Sequence, residues 1–171
     1  NTISGLVQMG ELEAVQKLIG QETAHYQAMI EFLRDTIKDP LIAGMLLGKT
    51  ERARELGLNL VVEEGSRLEP LPEWLNAEDL VTILGNLIDN ALTFSPARGE
   101  VRLRVREGQD EAEGFAVLTV DDDGPGIPAR FREAVFAPLR TLRPRDQCEG
   151  SGMGLATARK IVSRLGGEIH I

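Results

Sequence analysis

Two glycine clusters constrain this chain more than any other feature: Asp122-Asp123-Gly124-Pro125-Gly126-Ile127 and Gly150-Ser151-Gly152-Met153-Gly154-Leu155. An apolar run, Phe115 to Val120, leads into the first, and an amphipathic run, Leu155 to Leu165, leaves the second. Glycine lets a backbone approach a ligand closely, and the free N–H groups of a helix start bind anions. Strand, glycine turn, connecting segment, glycine turn and helix is the layout of a nucleotide site. Either cluster alone would mark no more than a turn. The reading therefore depends on whether other residues supply metal ligands, a base-reading group and phosphate contacts.

Composition limits the partners. A net charge of -8 and a pI near 4.9 argue against a nucleic-acid or anionic-membrane surface, which needs a basic patch. An anionic nucleotide would then have to be held by local charge and a metal. The lone Cys148 forms no internal disulfide, fits a reducing cytosolic setting and reads as an incidental loop thiol. No apolar run approaches the ~18 residues that span a bilayer, and no signal peptide is visible. The pattern starts and stops mid-element at Asn1 and Ile171, so a cytoplasmic fragment of a longer, membrane-anchored parent is expected.

In chain order, residues 1–38 read as helix, with a first piece ending near Gly10. Beyond it Leu12, Val15, Ile19, Tyr26, Ile30, Leu33 and Ile37 form a narrow stripe, the seam of a helical hairpin that a dimer would complete as a four-helix bundle. The alternative is helices packed on their own domain. Asp39-Pro40 ends this stretch, and Leu41 to Leu56 is a further helix closed by Gly57. Leu58 to Val62 reads as a strand and Glu69 to Leu75 as a connector. Leu80, Ile83, Leu84, Leu87, Ile88, Ala91 and Leu92 recur at helical spacing over Ala77 to Phe94. Val101, Leu103 and Val105 alternate with Arg102, Arg104 and Arg106, and this strand pairs in a hairpin with Phe115 to Val120. Residues 128–149 read as a short helix and a mobile loop, Ser151 to Leu165 as the last helix and Glu168 to Ile171 as a final strand. The result is an α+β chain: residues 1–38 a helical hairpin, residues 39–171 a mixed layer domain with an antiparallel sheet.

Asn86 and Asn90 lie one turn apart, with Thr93 extending their face. Their amide oxygens can coordinate Mg²⁺ and their NH₂ groups can reach phosphate oxygens; equally, they can be solvated surface asparagines. Asp122, where strand becomes turn, can accept the exocyclic amino group of adenine, or simply cap the turn; Asp121 and Asp123 are assigned to solvent. Gly152 to Leu155 open a helix whose N-terminus favours an anion. Arg140, Arg143 and Arg145 precede it, and one of them can swing onto a γ-phosphate or merely keep the loop soluble. His25 lacks a neighbouring acid to orient it and reads as a bundle-surface residue; His170 is treated alike. No Ser/His/Asp set or zinc spacing is present.

These motifs resemble the Bergerat ATP-binding fold of the GHKL superfamily, and specifically a sensor histidine kinase of two-component systems. GNLIDNA (Gly85 to Ala91) resembles its N box, DDDGPGI (Asp121 to Ile127) and GSGMGL (Gly150 to Leu155) its two glycine boxes, and VFAPL (Val135 to Leu139) its F box. The amino-terminal half, NTISGLVQMGELEAVQKLI followed by DPLIAGMLLGKTERARELGLNL, is similar to the citrate and dicarboxylate sensor kinases. The resemblance implies a helical dimerisation hairpin followed by an α/β sandwich, a mixed, mostly antiparallel sheet with helices on one face. It implies ATP and Mg²⁺ as ligands, with Asn86 and Asn90 holding metal and phosphates and Asp122 reading adenine. Gly124, Gly126 and Ile127 would line the base pocket. Gly150, Ser151, Gly152, Met153, Gly154 and Leu155 would cradle phosphate, and residues 128–149 would form the lid. The implied partners are a second copy of the chain and a response-regulator receiver domain. The phosphoacceptor histidine of that subfamily precedes a segment like NTISGL, which places it upstream of Asn1. Thr93 stands where many members carry a lysine or arginine, and Leu139 where phenylalanine is frequent. Gyrase-like and Hsp90-like ATPases place a water-activating glutamate at the position of Asn86, so its absence favours transfer over hydrolysis.

Overall fold

The computed structural model describes residues 24, 26–107, 115–140 and 152–171. The chain divides into two compact units, Asn1–Thr36 and Ile37–Ile171. In the first, residues 26–36 are helical; His25 and the stripe before it lie outside the described residues. The helix stops at residue 36 because Ile37 pairs with Leu68 in a β-bridge and Lys38 N–H donates to Leu68 O at 3.0 Å.

The second unit opens with α1 (Pro40–Glu55). Asp39 caps it, its carboxylate accepting from Leu41 N at 2.9 Å and Ile42 N at 3.1 Å, while Pro40 supplies a helical φ where no N–H is needed. Gly57, at φ 72°, takes the left-handed turn after the helix and releases the chain into β1 (Asn59–Val62). Helix α2 (Ala77–Phe94) is capped by Asn76, which accepts from Glu78 N at 3.0 Å. It ends at Ser95, whose hydroxyl turns back onto Ala91 O at 2.8 Å.

Strands β2 (Glu100–Glu107) and β3 (Ala116–Asp122) pair antiparallel, with Val101 opposite Asp122 and Leu103 opposite Val120. On its other edge β2 pairs in parallel with β1, Leu60 opposite Val101, which gives a mixed sheet in the order β1-β2-β3. The inward residues of β2, Val101, Leu103 and Val105, are buried with Ile42 and Leu46 of α1 and Leu84 and Ile88 of α2. Each such side chain contributes about 1.5–3 kcal/mol of transfer free energy, so this helix-on-sheet layer is the core. Two of the outward arginines of β2 are tied down, Arg104 to Glu63 and Arg102 to Asp123.

Helix α3 (Gly154–Arg164) packs beside α2, and Arg164 holds both carboxylate oxygens of Asp79 at 2.7 Å. It begins at Gly154 and not at Ser151, because Gly152 sits at φ 67°, outside the helical region. Between β3 and α3 the expected short helix is two 3₁₀ turns, Ala129–Phe131 and Ala134–Phe136. Val135 and Phe136 are buried, and Arg159 of α3 lies 4.8 Å over the Phe136 ring while pairing with Glu133 at 2.9 Å. The expected strand at Glu168 to Ile171 does not form: those residues have no ladder partner among the described residues, and Gly167 N donates to Val162 O at 3.0 Å at the helix end. Among the described residues no helix is long and apolar enough to cross a membrane.

Candidate functional site

The first glycine cluster leaves the sheet at the end of β3. Asp122 is exposed, and its Oδ1 accepts from Gly124 N at 2.7 Å, which closes the turn on itself. Gly124 lies so close to its surroundings that a Cβ there would stand 2.4 Å from Asp122 Oδ1 and 2.9 Å from the carbonyl oxygen of Phe94, at the end of α2. Gly126 adopts φ 69°, a left-handed conformation that suits glycine, and Ile127 after it is half-buried. Asp123 is exposed, as expected, and is also bonded twice. Its Oδ2 accepts from Glu100 N at 2.9 Å and its Oδ1 from Arg102 Nη2 at 2.9 Å. The Arg102 guanidinium, and then the Glu100 N–H, hold the Asp123 carboxyl below its ordinary range. The sequence missed this because the partners are more than twenty positions away and only the strand register joins them.

The second cluster meets the middle of α2. A Cβ on Gly154 would stand 2.9 Å from Asn86 Oδ1, so glycine there lets the start of α3 approach that amide. Asn86 Nδ2 donates to Thr82 O at 2.8 Å within its own helix, which leaves Oδ1 as the acceptor facing the cluster. Asn90, one turn on, is half-buried and has no side-chain hydrogen bond among the described residues. Thr93 spends its hydroxyl on Asp89 O at 2.7 Å. No side chain among the described residues caps α3, and Met153, 39% exposed, precedes its first turn, with Leu155 half-buried within it. Gly152 faces the backbone of Leu139 and Arg140, where a Cβ would come within 2.9 Å of Leu139 C and Arg140 O. Leu139 itself is left-handed at φ 61°, with its side chain exposed. The Arg140 side chain is exposed too, while Arg143, Arg145, Gly150 and Ser151 lie outside the described residues.

Helix α2 thus meets both clusters, Asn86 at Gly154 and Phe94 at Gly124. Among the described residues no three His, Cys, Asp or Glu side chains gather to hold a metal. The free oxygen donors on this face are the amides of Asn86 and Asn90. They suit a hard cation that keeps most of its coordination for water and phosphate, as Mg²⁺ does, and not a closed all-protein metal cage.

Residues 75–171 match the family described as histidine kinase-, DNA gyrase B-, and HSP90-like ATPase. The whole chain is 36% identical to the sensor histidine kinase DpiB of Escherichia coli K12 and 30% identical to a probable C4-dicarboxylate sensor kinase of Bacillus subtilis 168. The chain spans 31% of the length of each of these relatives. Among solved structures, full-length ShkA crystallised with AMPPNP aligns over 76% of this chain and 27% of its own, at a TM-score of 0.57 and 28% identity.

Proposed function

The chain belongs to the histidine kinase-, DNA gyrase B- and HSP90-like ATPase family, and we propose that residues 37–171 bind ATP with Mg²⁺ and present its γ-phosphoryl group to a histidine of the parent protein. The observation that carries this is the reach of one helix to both glycine clusters. Asn86 meets the phosphate-type helix start at Gly154, and the end of α2 meets the base-type turn at Gly124.

In this reading Asp122 accepts the adenine amino group, since Gly124 N occupies Oδ1 and leaves Oδ2 for the base. The uncapped N–H groups at Met153 to Leu155 take phosphate oxygens, and Asn86 and Asn90 offer their amide oxygens to the metal and their remaining donors to the phosphates. When bound, Mg²⁺ neutralises phosphate charge and orients the chain for in-line transfer. Arg140, with Arg143 as a second candidate, supplies positive charge from the segment before the second cluster. Asn86 has no carboxylate with which to activate water, so the site holds ATP for an external acceptor in preference to hydrolysing it. The similarity to sensor kinases, one solved with AMPPNP, supports a phosphohistidine relayed to an aspartate of a response-regulator receiver domain. It equally supports a dimer made through the amino-terminal helices and a parent anchored in the membrane with this part in the cytoplasm.

Calorimetry with ATP·Mg²⁺ tests the binding: a measurable Kd that weakens at least about tenfold in Asp122→Asn is expected, the loss of one charge-assisted base contact. Absence of binding in the unaltered protein would sink the proposal. Transfer is tested with the longer parent chain and radiolabelled ATP, where acid-labile, base-stable label is expected. Steady phosphate release with no labelled protein would instead place the chain with the hydrolytic members.

A further inference from the structure

The end of β3 carries a device that the binding reading does not use. The last registered pair of the β2–β3 ladder is Val101 with Asp122; the next would join Glu100 to Asp123. Instead of a backbone carbonyl, the Asp123 side chain meets Glu100 N at 2.9 Å, and its other oxygen takes Arg102 Nη2 at 2.9 Å. One carboxylate therefore ties two residues of β2 on the same face to the first residue beyond β3. The tie continues across the sheet. Glu100 Oε1 stands 3.4 Å from Arg102 Nε, at ion-pair distance, and Glu100 Oε2 accepts from Asn59 Nδ2 of β1 at 3.3 Å.

Asp122 sits between this strap and the Gly124 N–H that holds its own Oδ1. Backbone on one side of it is fixed by the sheet and on the other by the strap, so its carboxylate has little freedom to turn. Its Oδ2 has no partner among the described residues. We propose that Arg102 and Asp123 are positioning residues that fix the Asp122 carboxylate for base recognition, so that discrimination of adenine from guanine depends on a strap outside the pocket. This rests on the ATP-binding reading above. A fixed acceptor favours a base that presents an amino group over one that presents a carbonyl oxygen. An acceptor freed to rotate loses that distinction, because the ordering cost falls on the favoured base alone.

The test measures Kd for ATP and for GTP, each with Mg²⁺, in the whole chain. Arg102→Ala is expected to weaken ATP about tenfold and GTP by no more than about twofold, so the preference falls at least about fivefold. Arg102→Lys should restore much of it. Asp123→Ala should match Arg102→Ala, and the double variant should be no worse than either. A role confined to stability would lower the melting temperature and move both nucleotides together. A folded Arg102→Ala protein with an unchanged ATP-to-GTP ratio overturns the inference. If Arg102→Ala does not fold, Arg102→Lys and Asp123→Asn decide it, since asparagine can keep the Glu100 N–H bond and loses only the ion pair. Lack of ATP binding in the unaltered protein would remove the underlying reading as well, whereas tight binding with indifferent variants removes this inference alone.

Discussion

The two glycine clusters are built in opposite ways. At the first, Gly124 packs against backbone, the Phe94 carbonyl, and the residues around it are bonded to the sheet through Asp122, Asp123 and Arg102. At the second, Gly154 packs against the tip of one side chain, Asn86, and Gly152 against a loop in which Leu139 holds a left-handed conformation. The first turn is set by the fold, while the second is set by contacts that a side chain or loop can yield. Under the ATP-binding reading proposed above, the first cluster would be a rigid base end and the second a yielding phosphate end, which suits a site that must hold one part of a ligand and release another.

The same substitution in each cluster separates the two. Gly124→Ala should be the most damaging, because neither the Phe94 carbonyl nor the bonded Asp122 can withdraw; about 3 kcal/mol lost in urea denaturation is expected, at the upper end for overpacking. Gly154→Ala meets the side chain of Asn86, with Oδ1 at 2.9 Å and Cγ at 3.4 Å, and starts a helix, where alanine is favourable. Its stability should change by less than about 1 kcal/mol, while ATP binding falls at least about tenfold as the amide is pushed aside. Equal destabilisation by both variants would erase the contrast.

How far the sequence foretold this follows from which forces are local. Helix α2 was legible because the Leu80 to Leu92 period acts within a few residues, and α1 because Asp39-Pro40 and Gly57 mark its two ends; the caps at Asp39 and Asn76 were not read from the sequence. Strand β2 was legible in its alternation, with Val101, Leu103 and Val105 buried. Asp123 is exposed as expected, but its bonds to Glu100 and Arg102 were not foreseen, because they depend on register, which three adjacent aspartates do not reveal. The strand expected at Glu168 to Ile171 had the composition of a strand but has no partner among the described residues, which no local pattern can report. The clusters themselves were plain in the glycines. The meeting of Gly154 with Asn86 is tertiary, and Leu12, Val15 and Ile19 of the amino-terminal stripe, Cys148, Arg143 and Arg145 lie outside the described residues.

Acid should test the bracing of the first turn. The Asp123 carboxyl is held below its ordinary range by Arg102, with the Glu100 N–H adding to the effect; the charged neighbours facing the pair are Glu100 and Asp121. A depressed carboxylate contributes its stability above the unfolded-state value and loses it as pH falls through the folded one. The stability gap between the unaltered protein and Arg102→Ala should therefore stay level from neutral pH to about pH 5 and close only below about pH 4. A gap that closed near pH 6 would assign it to some group other than Asp123.

The smallest expected effect probes the yielding end. Leu139 holds φ 61°, a conformation that costs a residue with a side chain about 1–2 kcal/mol. Its side chain is 59% exposed, so little burial is lost on removing it. Leu139→Gly relieves the strain but lets the unfolded chain gain about 0.5–1 kcal/mol of backbone freedom. The net should be a gain of about 0.5 kcal/mol in the urea midpoint analysis, against the usual direction for replacing leucine by glycine. A loss above about 1 kcal/mol would mean that Leu139 secures the seam with Gly152 through its side chain, and the second cluster would then be as firmly built as the first.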